Sequence, residues 1–226
     1  MMCAAVLLGG YLLGSIPWAL IIGWLNRIDI RQHGSGNIGA TNVRRVLGKK
    51  WGILCFVLDC AKGLAPVVAA VVLVHRRPEV WPGWLPAAMA GAAVAGHVWP
   101  VWLRFKGGKG VATTIGALAA LAPIAVLVAV LGWLAVFYST RYVSLASVVA
   151  AVLFPVSAGV QRAVTGGSPN TATLALLVLL ATTIVVRHRT NIRKLLDGTE
   201  HKFEKKNTDA AAVAAAGEKA EGAEKP

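Results

Sequence analysis

Long apolar stretches separated by short polar segments dominate the chain. A bilayer crossing needs roughly 20 predominantly apolar residues, and four stretches meet that length: residues 3–25, 51–74, 84–103 and 143–160. A fifth, 171–186, is shorter but uninterrupted. Between them, 111–138 carries no charge and has Pro123 near its middle. It reads either as one kinked helix or as two short ones.

Loop charge decides between those two, because Lys and Arg concentrate in cytoplasmic loops. Segment 26–50 holds Arg27, Arg31, Arg44, Arg45, Lys49 and Lys50; Arg104, Lys106 and Lys109 follow the third stretch, and further cations follow Val186. All three groups reach one side only if 111–138 crosses twice, turning at Pro123. The chain then has about seven transmembrane helices, with the N-terminus outside and the C-terminus cytoplasmic. Asn37, Lys109 and Glu200 face the cytoplasm in this arrangement, and Gly83 and Gly167 face outward. Two crossings in so few residues predict tilted or partly re-entrant helices. The first cation, Arg27, follows the first apolar run instead of preceding it, so that run reads as a retained helix and not a cleavable signal.

Composition agrees: 56% of the 226 residues are hydrophobic and 15% charged, with mean hydropathy +0.63. The fold class is therefore an all-α, polytopic integral membrane protein, with residues 1–206 as the membrane domain. Residues 207–226, rich in Ala, Glu, Lys and Gly, read as a disordered cytoplasmic tail. The formal charge of +13 sits between apolar stretches, which points to anionic lipid or an anionic substrate and away from nucleic acid. Cys3, Cys55 and Cys60 lie in apolar runs without ligand spacing to His. They read as small buried apolar residues, and no metal or other cofactor is expected.

Three polar motifs carry candidate chemistry. The first runs from Gly34 through Ser35, Gly36, Asn37 and Gly39 to Asn42, followed by Arg44 and Arg45. Glycines let a backbone present its N–H groups, Ser and Asn add donors, and Arg matches a phosphate bidentately. The same residues also read as a flexible polar connector. The second, Gly107-Gly108-Lys109-Gly110 before Val111, places a cation and a helix start together but lacks the Ser or Thr of a nucleotide-binding P-loop. A helix cap with snorkelling cations is its other reading. The third spans Arg187 to Glu200, where a positive-inside stop explains the cations but not Asn191 or Glu200. Glu200 is suited to orienting a cation or a substrate hydroxyl. Ser144 and Ser147 form a further polar pair, and serines in membrane helices often bond only to their own helix. Asp59 and Lys62, three apart in the second stretch, read as a mutually neutralising pair, and His97 as a structural histidine. No His is followed by Asp at the fifth position, so acyl transfer by an H-x-x-x-x-D base is excluded.

These residues resemble the bacterial acyl-phosphate:glycerol-3-phosphate acyltransferases. The resemblance runs through Gly14-Ser15-Ile16-Pro17, residues 34–42 with Arg45, residues 59–63, Gly96-His97 with Pro100, residues 105–113, Ser144 with Ser147, and residues 187–200. Trp102 stands where a Phe is common, and the tail has no counterpart. The resemblance implies transfer of a fatty acyl group from acyl phosphate to glycerol 3-phosphate, giving lysophosphatidic acid and inorganic phosphate at the bacterial inner membrane. It implies Ser35, Arg45, Lys109, His188 and Asn191 as the catalytic set. Gly36, Asn37, Asn42, Gly107, Gly108 and Ser144 follow as substrate-binding residues, to which Glu200 is added. An acyl phosphate already carries a good leaving group, so direct attack by the glycerol hydroxyl needs orientation and charge stabilisation more than a nucleophilic side chain. The acyl chain would lie between helices, in lipid. A transporter for a phosphorylated metabolite is the other reading, although its cations should line a path across the bilayer.

Overall fold

The computed structural model describes residues 1–167 and 169–203. Among these, all regular structure is helical, with no strand. The tail expected at 207–226 and the last residues of the 1–206 domain lie outside the described residues.

The first apolar run is not one helix, as the sequence pattern had it. It breaks into α1 (Met2–Gly14) and α2 (Trp18–Leu25). Pro17 lacks an N–H and disfavours helical geometry in the residue before it. At the break the Ile16 carbonyl accepts from the Trp18 N–H at 3.1 Å and from Lys62 Nζ at 2.7 Å. A short amphipathic helix, α3 (Ala40–Leu47), turns at Gly48 into α4 (Lys49–Arg76). Then come α5 (Leu85–Val98), α6 (Val111–Ala119), α7 (Pro123–Thr140), α8 (Val143–Thr165), α9 (Thr171–Arg187) and α10 (Arg189–Leu196).

Among the described residues, four segments are long and apolar enough to cross a membrane: Met2–Leu25 across its break, α4, α7 and α8. The bent pair α9 and α10, at 55°, makes a fifth. With 14 and 9 residues, α5 and α6 rise only about 21 and 14 Å, short of a core of about 30 Å. The turn in 111–138 falls ahead of Pro123 as read, but its halves are unequal, since α7 has 18 residues. Val111 and Phe137 line one cavity, so this hairpin returns toward the face it left.

Lipid gives no hydrophobic drive for helices to associate, and close packing of small residues replaces it. The pair α4 and α6 meets backbone to backbone: a Cβ on Gly63 would strike the Thr113 carbonyl, and one on Gly116 the Cys60 carbonyl. Val67, Leu85, Val94, Leu118, Phe154 and Leu177 fill the centre. Leu127, Leu131, Val156 and Leu179 point outward, as residues that meet acyl chains do. Cys55 is buried, whereas Cys3 and Cys60 are only partly so.

Candidate active site

The first polar loop is organised from within by Asn42. Its Oδ1 accepts the Ser35 N–H at 2.8 Å, and its Nδ2 donates to the Ile30 and His33 carbonyls, both at 3.0 Å. Asn42 is 1% exposed, so its polar atoms are committed to loop shape. Upstream, Asp29 caps a 3-10 turn and pairs with Arg31 at 2.7 Å. The bonds from Arg31 hold the Asp29 carboxyl down at about 2. Gly36 turns the chain at φ +67° and donates its N–H to the His33 carbonyl. Ser35 and Asn37 reach the cavity wall, as does Arg45 from α3; Gly36 is not among the lining residues.

The second loop uses its glycines differently. The N–H groups of Gly107 and Gly108 donate to the Val98 and His97 carbonyls at 3.1 Å each. Their own carbonyls accept from Arg187, at 2.8 Å for Gly107 and 3.2 Å for Gly108. A Cβ on Gly108 would run into the His97 ring. These two residues were read as phosphate-binding donors, but their N–H groups are already engaged and neither lines the cavity. What faces the cavity is Lys109, with Gly110 and the opening turn of α6.

Lys109 begins a chain of side-chain bonds that ties four segments together. Its Nζ donates to Asn191 Oδ1 at 2.6 Å, and Asn191 Nδ2 donates to Glu200 Oε1 at 2.8 Å. Ser144 Oγ donates to the same Glu200 oxygen at 2.8 Å. Burial pulls the Lys109 ammonium down to about 8, the nearby cations Arg45, Arg187 and Lys194 adding to the shift and Glu200 opposing it. His188, 3% exposed, bonds through Nδ1 to the Ile184 carbonyl at 2.8 Å. A carbonyl only accepts, so Nδ1 carries the proton and Nε2 is left as an acceptor. Ser147 back-bonds to the Val143 carbonyl and accepts from Trp133 Nε1, which leaves it in a structural role.

Of these residues, Ser35, Asn37, Asn42, Arg45, Lys109, Ser144, Ser147, His188, Asn191 and Glu200 line one cavity of ≈ 470 Å³. Its polar lining, Ser35, Asn37, Arg45, Lys109, His188 and Asn191, comes from loops and helix ends, and so gathers at one end. Its apolar lining, Phe56, Ile115, Trp133, Phe137 and Phe154, comes from within α4, α6, α7 and α8 and forms an arm between helices. The opening turns of α3 and α6 also line it; first-turn N–H groups have no partner within their own helix and attract anions. At the floor, Asp59 pairs with Lys62 at 2.9 Å, the neutralising pair read from the sequence. His97 Nδ1 stands 3.6 Å from Asp59, too far for a good hydrogen bond. Among the described residues no group of three or more His, Cys, Asp or Glu is gathered to hold a metal. Two residues that shape the site escaped the sequence reading, Arg187 by holding the second loop and Phe203 by lining the cavity. Arg187 looked like one more positive-inside cation, and Phe203 was not singled out.

A family model described as glycerol-3-phosphate acyltransferase matches residues 4–198. The glycerol-3-phosphate acyltransferase of Trichlorobacter lovleyi is 45% identical over 197 residues, covering 86% of this chain and 94% of the relative. That of Aquifex aeolicus is 44% identical over 193 residues, covering 85% and 95%. Two crystal structures of PlsY, an integral membrane glycerol 3-phosphate acyltransferase, superpose with TM-scores of 0.81 for a glycerol 3-phosphate form and 0.79 for a lysophosphatidic acid form. Each is 39% identical to this chain and covers 90% of it and 96% of its own length. With its whole membrane region matched in sequence and in fold, this multi-pass membrane protein belongs to the glycerol-3-phosphate acyltransferase family.

Proposed function

We propose that the cavity is where a fatty acyl group passes from acyl phosphate to glycerol 3-phosphate, giving 1-acyl-glycerol 3-phosphate and inorganic phosphate. The observation that carries this reading is the cavity's division into a cationic end and an apolar arm. The substrates together consist of two phosphates and one hydrocarbon chain, and their reacting atoms lie where the two kinds of surface meet. In the reaction the glycerol oxygen forms a bond to the acyl carbon, and the bond from that carbon to the phosphate oxygen breaks. The hydroxyl proton passes to an oxygen of the donor phosphate.

Arg45 and Lys109 hold phosphate, with Ser35 and the opening turns of α3 and α6 supplying further donors. Charge that grows on the leaving phosphate is stabilised by groups already in place, which costs no reorganisation during the reaction. His188 Nε2 and the Asn191 amide orient the glycerol hydroxyls. Glu200 keeps Asn191 and Ser144 in register. The apolar arm takes the acyl chain within the protein, beyond the lipid contact expected from sequence. The site opens at the cytoplasmic face of the bacterial inner membrane, with seven membrane helices and the N-terminus outside. A transporter fits less well, because the cations gather at one end of the cavity instead of lining a route through it.

Purified protein given acyl phosphate and glycerol 3-phosphate should release inorganic phosphate and lysophosphatidic acid in equal amounts, with both substrates required. An acyl thioester should not replace the acyl phosphate. Phosphate release without an acylated product, or equal use of thioesters, would overturn the reading.

A further inference from the structure

Beyond α10 the chain folds back over the cationic end of the cavity. Glu200 bonds to Ser144 and Asn191, and the Phe203 N–H donates to the Arg141 carbonyl at 3.0 Å. The Phe203 side chain is thereby laid against α3: its ring centroid is 4.9 Å from Arg44 Cζ and 5.5 Å from Arg45 Cζ. On its other side the ring packs edge to face with Phe137, centroids 5.9 Å apart. Phe203 therefore touches both the guanidinium groups of the polar end and an aromatic wall of the apolar arm, and it lines the cavity itself. The family model's match ends at residue 198, short of this ring.

We propose that Phe203 is a positioning residue that holds the Arg44 and Arg45 guanidinium groups for phosphate binding. The inference rests on the acyltransferase reading of the cavity. A ring face attracts a guanidinium through its quadrupole but takes none of its in-plane N–H donors. A carboxylate in the same place would occupy those donors and cancel the charge that phosphate must meet. An aromatic partner fixes the direction of a long, exposed side chain and leaves its hydrogen-bonding edge free. Arg45 then meets phosphate with less rotamer freedom left to lose.

The test uses the full chain with Phe203→Leu, which keeps apolar bulk but not the ring face, beside Phe203→Tyr and Phe203→Trp. Two cation–π contacts of exposed type set the size of the effect, a rise of about 5- to 30-fold. In Phe203→Leu the KM of the substrate whose phosphate meets Arg45 should rise by that factor with kcat within about twofold, and the Tyr and Trp variants should restore it. Inorganic phosphate, read by its shift of the melting temperature, should bind Phe203→Leu more weakly by a similar factor. Unchanged KM values and phosphate binding in Phe203→Leu would overturn the proposal, as would Tyr and Trp variants no better than Leu. Wild-type protein that binds phosphate but lacks turnover would count against the acyltransferase reading, and phosphate binding would still decide the role of Phe203.

Discussion

The two glycine-rich loops look alike in sequence and work by different physics. In the first, glycine supplies a turn and side chains reach the cavity; Gly36 takes φ +67° while Ser35, Asn37 and the following Arg45 line the wall. In the second, glycine supplies closeness. Gly107 and Gly108 lie against the end of α5, with their N–H groups on its carbonyls and their own carbonyls on Arg187. The difference shows that a glycine run beside a helix start is not by itself an anion cradle. What the second loop gives the cavity is one cation, Lys109, held in place by two glycines that do not line the cavity themselves.

The largest expected effect is common to both loops. Arg45→Ala and Lys109→Ala each remove a preorganised cation from a partly buried anion site, and loss of one such donor typically costs about 10² to 10³ in rate. Phosphate-release kinetics on folded variants should show falls of that size from either side. A loss confined to one loop would mean that only one of them serves the reacting phosphates. His188→Asn and His97→Gln should retain measurable turnover, because the donor's own phosphate accepts the proton. A dead but folded histidine variant would restore a protein base to the mechanism.

Next comes Gly108→Ala. The new methyl group would meet the His97 ring, so the loop must shift, at a cost of about 1 to 3 kcal/mol for overpacking. Lys109 would move with it. Turnover should fall at least tenfold together with thermal stability, and His97→Ala, which makes room, should return part of both. Independent, additive losses in the double variant would show that the two residues do not meet.

Lys109 also gives the second loop a pH dependence. Burial holds its ammonium down to about 8, so its charge is present below that pH and lost as pH rises through it. A phosphate substrate that needs this cation should show KM rising above about pH 8, and Lys109→Arg should flatten the rise because a guanidinium stays charged. The same rise in Lys109→Arg would assign the titration to another group.

Much of this was legible in the sequence because it depends on local pattern. Apolar run lengths located three of the spanning segments but also picked 84–103, whose helix has only 14 residues. Loop charge predicted that the three polar motifs share one face, Lys109 stood out from a glycine-rich turn at a helix start, and Asn191 and Glu200 stood out because a positive-inside signal does not call for an amide or a carboxylate. The asymmetry between the loops was not legible, since it depends on contacts across the chain. Arg187 is matched to the Gly107 and Gly108 carbonyls about 80 positions away, and nothing near it in sequence distinguishes it from Arg189. Asn42 looked like a ligand because an amide in a loop offers donors, and it does line the cavity, yet from the first turn of α3 its amide is bonded to Ser35, Ile30 and His33 of the loop. The break at Pro17 was readable in principle, but the continuous apolar run concealed it.

The smallest effect expected is Gly36→Ala, and it isolates the turn function of the first loop. Alanine in the left-handed region costs about 1 to 2 kcal/mol, partly offset by about 0.4 to 1 kcal/mol because the unfolded chain loses freedom as well. A Cβ there would lie 3.0 Å from the Arg31 carbonyl oxygen, a contact that a small shift of the exposed loop relieves. Gly36 does not line the cavity, and its N–H bond to His33 survives the substitution. The melting temperature should therefore fall by only a few degrees, with kcat/KM within about threefold of wild type. Gly36→Asn should be milder still, since Asn tolerates that backbone region better than Ala. If Gly36→Ala instead cost as much activity as Arg45→Ala with the fold intact, its backbone would have to contact phosphate, and the first loop would be the anion cradle that the second is not.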